Sequence, residues 1–189
     1  ASSQLGGQGH RITVHPGRRR TDRDSSRSVR CPGADMTGWT IGQLLEVTRG
    51  SLVRGNRLTP VAGVSIDTRR LEPGEAFIAI HGTRFDGHDF LAQAVERGAS
   101  CLLVDRHPES RPVVPTILVE DTTRALADVA AAYRGRFKIP IVAVTGSCGK
   151  TTTKELIAHL LGTRLRVLKT EGTQNNHLGL PLSLLRLQS

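Results

Sequence analysis

Ile139-Pro140-Ile141-Val142-Ala143-Val144-Thr145-Gly146-Ser147-Cys148-Gly149-Lys150-Thr151-Thr152-Thr153-Lys154-Glu155 is the stretch on which the fold class turns. The apolar run Ile139 to Val144 is short and β-branched, which predicts a buried strand rather than a helix. Gly146 and Gly149 let the backbone curl after it. Lys150 then opens a segment with Leu156, Ile157, Leu160 and Leu161 on one face, the spacing of an amphipathic helix. Backbone N–H groups in such a turn, backed by the positive end of the helix dipole, form a socket for phosphate. Gly146, Ser147, Cys148, Gly149, Lys150, Thr151 and Thr152 are therefore expected to cradle ATP. Lys150 would reach the β- and γ-phosphates, and the Thr151 hydroxyl would sit on Mg2+. Val144 stands where the generic phosphate-loop pattern has its first Gly. The bland alternative is a strand, turn and helix with a solvated Lys, and the order of strand, paired Gly, Lys-Thr and helix argues against it. A thiol at a helix N-terminus can have a lowered pKa, but for Cys148 the expectation is that the backbone matters and the sulfur does not.

Outward from this stretch, strands and helices alternate, which implies an α/β fold. Thr40 with Gln43 forms a capping box for a short helix, Ile41 to Thr48, ended by Gly50. Val61 to Ile66 reads as a strand delivering Asp67-Thr68-Arg69-Arg70 into a loop. Ala76 to Ile80 is a second buried strand, followed by a polar loop over 81–89 and a helix from Phe90 to Arg97. Cys101 to Val104 and Thr116 to Val119 complete the strands of this part. Asp121 caps a helix with Ala125, Leu126, Val129, Ala130 and Tyr133 at helical spacing. The expected organisation is a basic tail over 1–35, a small substrate-binding α/β domain over 36–136, and the start of a phosphate-loop ATPase domain over 137–189. A further strand is expected near Leu165–Lys169 and an apolar helix over Leu182 to Leu187. A phosphate-loop domain ordinarily has a longer sheet than that, so the chain reads as cut off inside its second domain.

The formal net charge of +9 invites a nucleic-acid reading. Much of the excess lies in residues 1–35, where seven Arg face three Asp. That tail is too poor in aliphatic residues to offset its ordering entropy, and it reads as disordered. Met36 reads as the natural start, with a real extension of weak electrostatic role over 1–35 as the alternative. Aromatic residues make up 3% of the chain, too few for a base-stacking platform, so nucleic acid is not the expected partner. The three cysteines, an odd number without metal-ligand spacing, suit a reducing compartment. No apolar run approaches membrane-spanning length. A soluble, cytoplasmic monomer is expected.

Outside the phosphate loop, Arg69 follows a strand end, where a guanidinium can fork onto phosphate or carboxylate. An ion pair with Asp67 is the bland alternative. The 81–89 loop holds two His, two Asp, an Arg and two Gly; a metal reading fails on ligand spacing, and a ligand-binding loop fits better. Asn175 and Asn176 offer both donors and acceptors to a sugar or amide substrate, or form a turn before the last helix.

Together these residues resemble the Mur ligases, the ATP-dependent amide-forming family of peptidoglycan synthesis. Thr145-Gly146-Ser147-Cys148-Gly149-Lys150-Thr151-Thr152 is similar to that family's shortened loop, which also lacks the first Gly. Asp67-Thr68-Arg69, Pro73-Gly74-Glu75-Ala76-Phe77, Asp86-Gly87-His88-Asp89-Phe90 and Gly98-Ala99 resemble the amino-terminal domain of two members. These are the ligase adding the third residue and the ligase adding the terminal D-alanyl-D-alanine. Asn175-Asn176-His177-Leu178-Gly179-Leu180-Pro181-Leu182 is most similar to the second. The resemblance covers Met36 to Leu187. It implies transfer of the γ-phosphate of ATP to the terminal carboxylate of UDP-N-acetylmuramoyl-tripeptide, giving an acyl phosphate that the amine of D-alanyl-D-alanine attacks. It implies Lys150 and Mg2+ as charge neutralisers, Thr68, Arg69 and the 81–89 loop at the UDP end, and Asn175 and Asn176 at the muramoyl-peptide side. The family's later acidic Mg2+ ligand, modified lysine and third domain lie outside residues 1–189, so no ligase turnover is expected of this chain alone. The sister ligase and a non-catalytic UDP-sugar or nucleotide-binding module remain the alternatives. A nucleotide kinase would need an Arg-rich lid after Lys150, and folylpolyglutamate synthetase would not be expected to carry the Asp-Thr-Arg and Asp-Gly-His-Asp-Phe motifs.

Overall fold

The computed structural model describes residues 36, 38–82, 85–109, 112–170 and 177–188. The tail over 1–35 and the pair Asn175 and Asn176 lie outside the described residues. The chain opens with β1 (Trp39–Thr40) and α1 (Ile41–Thr48), followed by β2 (Ser51–Arg54), β3 (Pro60–Val61), β4 (Gly63–Ser65) and β5 (Glu75–Ile78). A 3-10 turn (Gly87–Phe90) leads into α2 (Leu91–Glu96), then β6 (Cys101–Val104), β7 (Thr116–Leu118) and α3 (Thr122–Gly135). Two more helices follow, α4 (Lys150–Gly162) and α5 (Gly179–Leu184).

The main sheet has five strands in the order β2-β7-β6-β5-β4. Its four strands β4, β5, β6 and β7 are parallel, in registers such as Phe77 beside Leu102 and Leu103 beside Ile117. The edge strand β2 runs antiparallel to β7. A separate two-stranded ribbon pairs β1 with β3. The α/β expectation therefore holds, with a parallel sheet at its centre.

Period-two alternation sends successive residues to opposite faces. Ala76, Ile78, Cys101, Leu103 and Ile117 meet α1 and α3 through Ile41, Leu44, Leu126, Val129 and Tyr133. Phe77, Leu102 and Val104 face the other way and meet Leu71, Ala94 and Ala99. The central strands are thus buried on both sides, which is why they read as continuous apolar runs. Each Val, Leu, Ile or Phe among them contributes on the order of 1.5–3 kcal/mol by leaving water.

The helix starts follow their signals. Thr40 and Gln43 form the capping box of α1, with the Thr40 N–H donating to Gln43 Oε1 at 2.9 Å. Asp121 caps α3, accepting from the N–H groups of Thr123 and Arg124 at 2.7 and 3.0 Å. At the end of α1 it is Arg49, not Gly50, that takes the left-handed conformation, with φ 55°. Gly50 answers a different constraint, because a Cβ there would lie 2.6 Å from the Ile117 side chain.

Two expectations fail after residue 136. Ile139 to Val144 is not a strand, and Ile139, Ile141 and Val142 are exposed. The stretch Leu165–Lys169 is likewise neither paired nor buried. A strand needs a neighbour to take its N–H and C=O groups, and among the described residues no strand ladder reaches either stretch. The helix α4 forms as expected, yet has no buried residue, and Leu156 and Leu160 of its apolar face are open to solvent. In contrast α5 packs against α3. Leu185 and Leu187 join the main core, and the buried Tyr133 O–H donates to the Leu187 carbonyl at 2.7 Å.

Candidate functional site

The phosphate loop has the backbone its sequence requires. Gly146 and Gly149 have φ of 147° and 75°, and Gly149 immediately precedes the first helical residue, Lys150. A side chain at Gly149 would be strained by that left-handed φ. Because the cap has no side chain to offer, the first-turn N–H groups of α4 have no side-chain partner from it. Lys150 folds back over the loop, donating from Nζ to the Gly146 carbonyl and, at 3.4 Å, to the Ser147 carbonyl. Ser147, Cys148, Thr151 and Thr152 are all exposed around it. A glycine-lined turn, helix N–H groups without a side-chain cap and an ammonium over the loop form a donor set that fits a polyphosphate. The exposed Thr151 hydroxyl is of the type that ligates Mg2+.

Behind the loop, α4 is fastened to the segment that follows it. Lys154 Nζ donates to the Thr170 carbonyl at 2.6 Å, and Glu155 pairs with both Lys169 and, at 3.3 Å, Lys154. The ion pair with Lys169 holds the Glu155 carboxyl below its usual range, with Lys154 adding to the effect. On the near side, the Arg134 guanidinium donates to the carbonyls of Phe137 and Ile139 at 2.7 Å each. Arg134 thus sets how the chain leaves α3 on its way to the loop.

The second candidate region lies at the carboxyl ends of β4, β5 and β6. Open parallel sheets bind their ligands outside these ends. The loop after β4 carries Thr68 and Arg69. Thr68 is buried and donates to Gln93 of α2. Arg69 is exposed and forks onto Asp67, with Nε to Oδ1 at 3.0 Å and Nη2 to Oδ2 at 2.9 Å. That fork holds the Asp67 carboxyl below the usual range. The ion-pair alternative for Arg69 is therefore realised, and the pair contributes little to stability at such exposure. Arg97, which follows the last residue of α2, donates to the Arg69 carbonyl at 3.1 Å, tying this loop to the end of α2.

The loop after β5 is pinned by charge. Asp86 accepts from the His88 N–H at 2.9 Å, from His88 Nδ1 at 2.8 Å and from Arg106 Nη2 at 2.6 Å. His81 Nδ1 stands 3.3 Å from the other side of the same carboxylate. Burial alone would raise the Asp86 pKa, but the hydrogen bonds from His88, Arg106 and His81 outweigh it and hold the carboxyl well below the usual range. The buried His88 ring also reaches Asp105, Nε2 to Oδ1 at 3.2 Å, and Asp105 accepts from the Thr122 hydroxyl at 3.3 Å. Gly87 makes this closure possible, since a Cβ there would lie 2.6 Å from the Ile80 nitrogen.

Thr68, Arg69 and the described residues of the 81–89 loop thus share one edge of the sheet. The phosphate loop belongs to the stretch beyond α3. Asp105 and Arg106 escaped sequence reasoning. They directly follow β6, and the strand-end rule that singled out Asp67-Thr68-Arg69 applies to them equally.

Residues 60–134 match the family model described as Mur ligase family, catalytic domain, and residues 144–189 match the Mur ligase middle domain. The chain belongs to the Mur ligase family. A Bacillus subtilis relative named UDP-N-acetylmuramoyl-tripeptide--D-alanyl-D-alanine ligase is 44% identical over 153 residues, covering 78% of this chain and 33% of the relative. A crystal structure of MurF from Acinetobacter baumannii superimposes with a TM-score of 0.72 at 36% identity, over 79% of this chain and 33% of that one. A structure of the Thermotoga maritima MurF ligase in complex with ADP gives a TM-score of 0.60 at 38% identity, over 70% of this chain and 30% of that one. This Mur ligase chain spans about a third of the length of the relatives it matches. Among the described residues, no helix is long and apolar enough to cross a membrane.

Proposed function

We propose that this chain is the amino-terminal and phosphate-binding part of an ATP-dependent ligase that joins D-alanyl-D-alanine to UDP-N-acetylmuramoyl-tripeptide in cytoplasmic peptidoglycan precursor synthesis. The observation that carries the reading is the left-handed Gly149 opening α4, with Lys150 drawn over the Gly146 carbonyl. The name of the Bacillus subtilis relative and the ADP complex of the Thermotoga maritima one support it.

Residues 36–136 take the UDP end of the substrate, and 137–189 begin the ATP-binding domain. Gly146, Ser147, Cys148, Gly149, Thr151 and Thr152 hold the phosphates through backbone N–H groups and hydroxyls. Lys150 exchanges its loop carbonyls for phosphate oxygens and neutralises charge there. Thr151 ligates the Mg2+. ATP with Mg2+, when bound, supplies the phosphoryl group that activates the substrate's terminal carboxylate. Arg69 leaves Asp67 to fork onto the UDP diphosphate or keeps it as a hinge for the loop, with Thr68 fixing that loop to α2. Asn175 and Asn176 take the muramoyl-peptide side.

Replacing the matching segment of the Bacillus subtilis relative by residues 36–188 tests the reading. The chimera should form the amide bond with D-alanyl-D-alanine in an ATP-dependent way. Lys150→Ala in that chimera should lower the rate on the order of 10²–10³-fold. Undiminished turnover of the Lys150→Ala chimera would remove the role assigned to the lysine.

A further inference from the structure

The last turn of α3 holds both ends of the stretch that carries the phosphate loop. Tyr133 and Arg134 are consecutive residues there. Tyr133 donates from its hydroxyl to the Leu187 carbonyl at 2.7 Å, just past α5. Arg134 donates from Nη1 to the Phe137 carbonyl and from Nη2 to the Ile139 carbonyl, at 2.7 Å each. A cation in the last turn of a helix ordinarily serves that helix's own final carbonyls. The acceptors of Arg134 instead lie beyond the helix end at Gly135, on the chain running toward Gly146.

Phe137 and Ile139 are two residues apart, and their carbonyls face one guanidinium. That is the spacing of successive acceptors along one edge of an extended strand. Ile139 to Val144 has the composition of a strand and, among the described residues, no ladder to join. At the start of that run, Arg134 supplies two donors of the kind a neighbouring strand would supply. Pro140 stiffens the join, since the residue before a proline is held to extended conformations. On the α3 side, Phe137 packs on the main core and edge-on to Tyr133, with ring centroids 5.2 Å apart and planes at 66°. The Arg134 Nε is buried without an acceptor among the described residues. A buried donor left unpaired costs stability, so what keeps a guanidinium at this position is its fork rather than its fit.

We infer that Arg134 is a positioning residue for ATP: by bridging the Phe137 and Ile139 carbonyls it fixes the approach to Gly146, and so sets where the phosphate loop presents its N–H groups and Lys150. This deepens the functional reading above and rests on it. In this role Arg134 acts through the six residues between Ile139 and Gly146. A displacement of about 1 Å in a positioned group can cost on the order of 10²-fold. Loss of hold worth one charge-assisted hydrogen bond corresponds to roughly tenfold in affinity.

Calorimetric titration of the 189-residue chain with Mg·ATP tests the inference, alongside thermal melting of each variant. Arg134→Met keeps the aliphatic stem, removes the fork and should weaken Mg·ATP about tenfold or more. Arg134→Lys keeps a cation that reaches one carbonyl and should recover part of the loss. It also serves if Arg134→Met does not fold. Leu103→Ala lowers stability from the middle of the sheet and should leave Mg·ATP affinity within about twofold of wild type. In the Bacillus subtilis chimera, Arg134→Met should raise the KM for ATP about tenfold and leave that for UDP-N-acetylmuramoyl-tripeptide within about twofold. Wild-type affinity in both Arg134 variants would overturn the inference and leave the ligase reading standing. So would an equal loss in Leu103→Ala, or equal rises in the two KM values. Failure of the wild-type chain to bind Mg·ATP would overturn the inference and the phosphate-loop assignment together.

Discussion

The sheet with its helices α1, α2, α3 and α5 and the stretch from Ile139 to Thr170 solve the same folding problem with opposite success. In the first region every central strand has neighbours, and side chains such as Leu103 and Ile117 are fully buried. In the second, the helix α4 and the glycine turn adopt their expected backbone while Ile141, Val142, Leu156 and Leu160 stay exposed. Local signals are enough to shape a phosphate loop. Burying a strand and a helix face requires partners, and the described residues supply none for this stretch. The loop's donors are therefore preorganised by short-range geometry, whereas the loops at the carboxyl ends of β4, β5 and β6 are preorganised by a packed sheet and long-range ion pairs.

The largest expected effect breaks or upholds this contrast directly. Leu103→Ala in the sheet should destabilise the chain by about 2–5 kcal/mol, read as a lowered urea midpoint. Leu160→Ala on α4 should fall within about 0.5 kcal/mol of wild type. Equal losses at the two sites would show that α4 shares a core with the sheet after all.

The same contrast explains what could be read from the sequence. Capping of α1 by Thr40 and Gln43, and of α3 by Asp121, is local chemistry and was legible. So were the buried strands β5 and β6, because apolar runs between turns have few other uses. The edge strand β2 was missed: Ser51-Leu52-Val53-Arg54 is largely exposed and is a strand only because β7 pairs with it. Ile139 to Val144 erred in the opposite direction, since its composition is that of a buried strand but pairing is a property of neighbours. At the candidate site, Gly149 and Lys150 were legible from spacing. The Asp86–His88–Asp105 network was not, because Asp105 lies 17 residues from His88, and Arg106 lies 20 from Asp86, so the two halves meet only through the sheet.

Next in size is the charge network itself. Asp86 has its folded pKa depressed, so its contribution is present above the unfolded aspartate value of about 3.9 and is lost as pH falls through the folded value. Asp86→Asn should cost about 1.5–3 kcal/mol at pH 7, with the deficit shrinking as wild type is acidified. A deficit that stays constant down to the acid transition would mean that the ion pairs do not stabilise the loop.

Tyr133→Phe comes third and sharpens the boundary between the two regions. It leaves the Leu187 carbonyl without its buried donor, which costs about 1–3 kcal/mol. Amide exchange should quicken across α5 and leave α4 unchanged. Faster exchange in α4 as well would show that the two helices are held as one piece.

The smallest effect lies at the other end of β5 from Asp86 and should carry the opposite sign. Glu75, at the amino end of the strand, is 5% exposed. Burial pushes its carboxyl above the usual range, and the charge of Glu72 adds to this, while the hydrogen bond from the Glu72 N–H at 2.9 Å offsets part of it. A folded pKa raised above the unfolded value of about 4.3 means stability that is fully present below that value and is lost as pH rises through the folded one. Glu75→Gln keeps an acceptor for the Glu72 N–H and removes the buried charge, so the variant should match or slightly exceed wild type at pH 7, by about 1 kcal/mol or less. Urea midpoints compared at pH 4 and pH 7 read this out. A Gln variant that is clearly weaker at pH 7 would mean that the Glu75 carboxylate is stabilised by its surroundings, and that the two ends of β5 do not differ in the way their burial and partners imply.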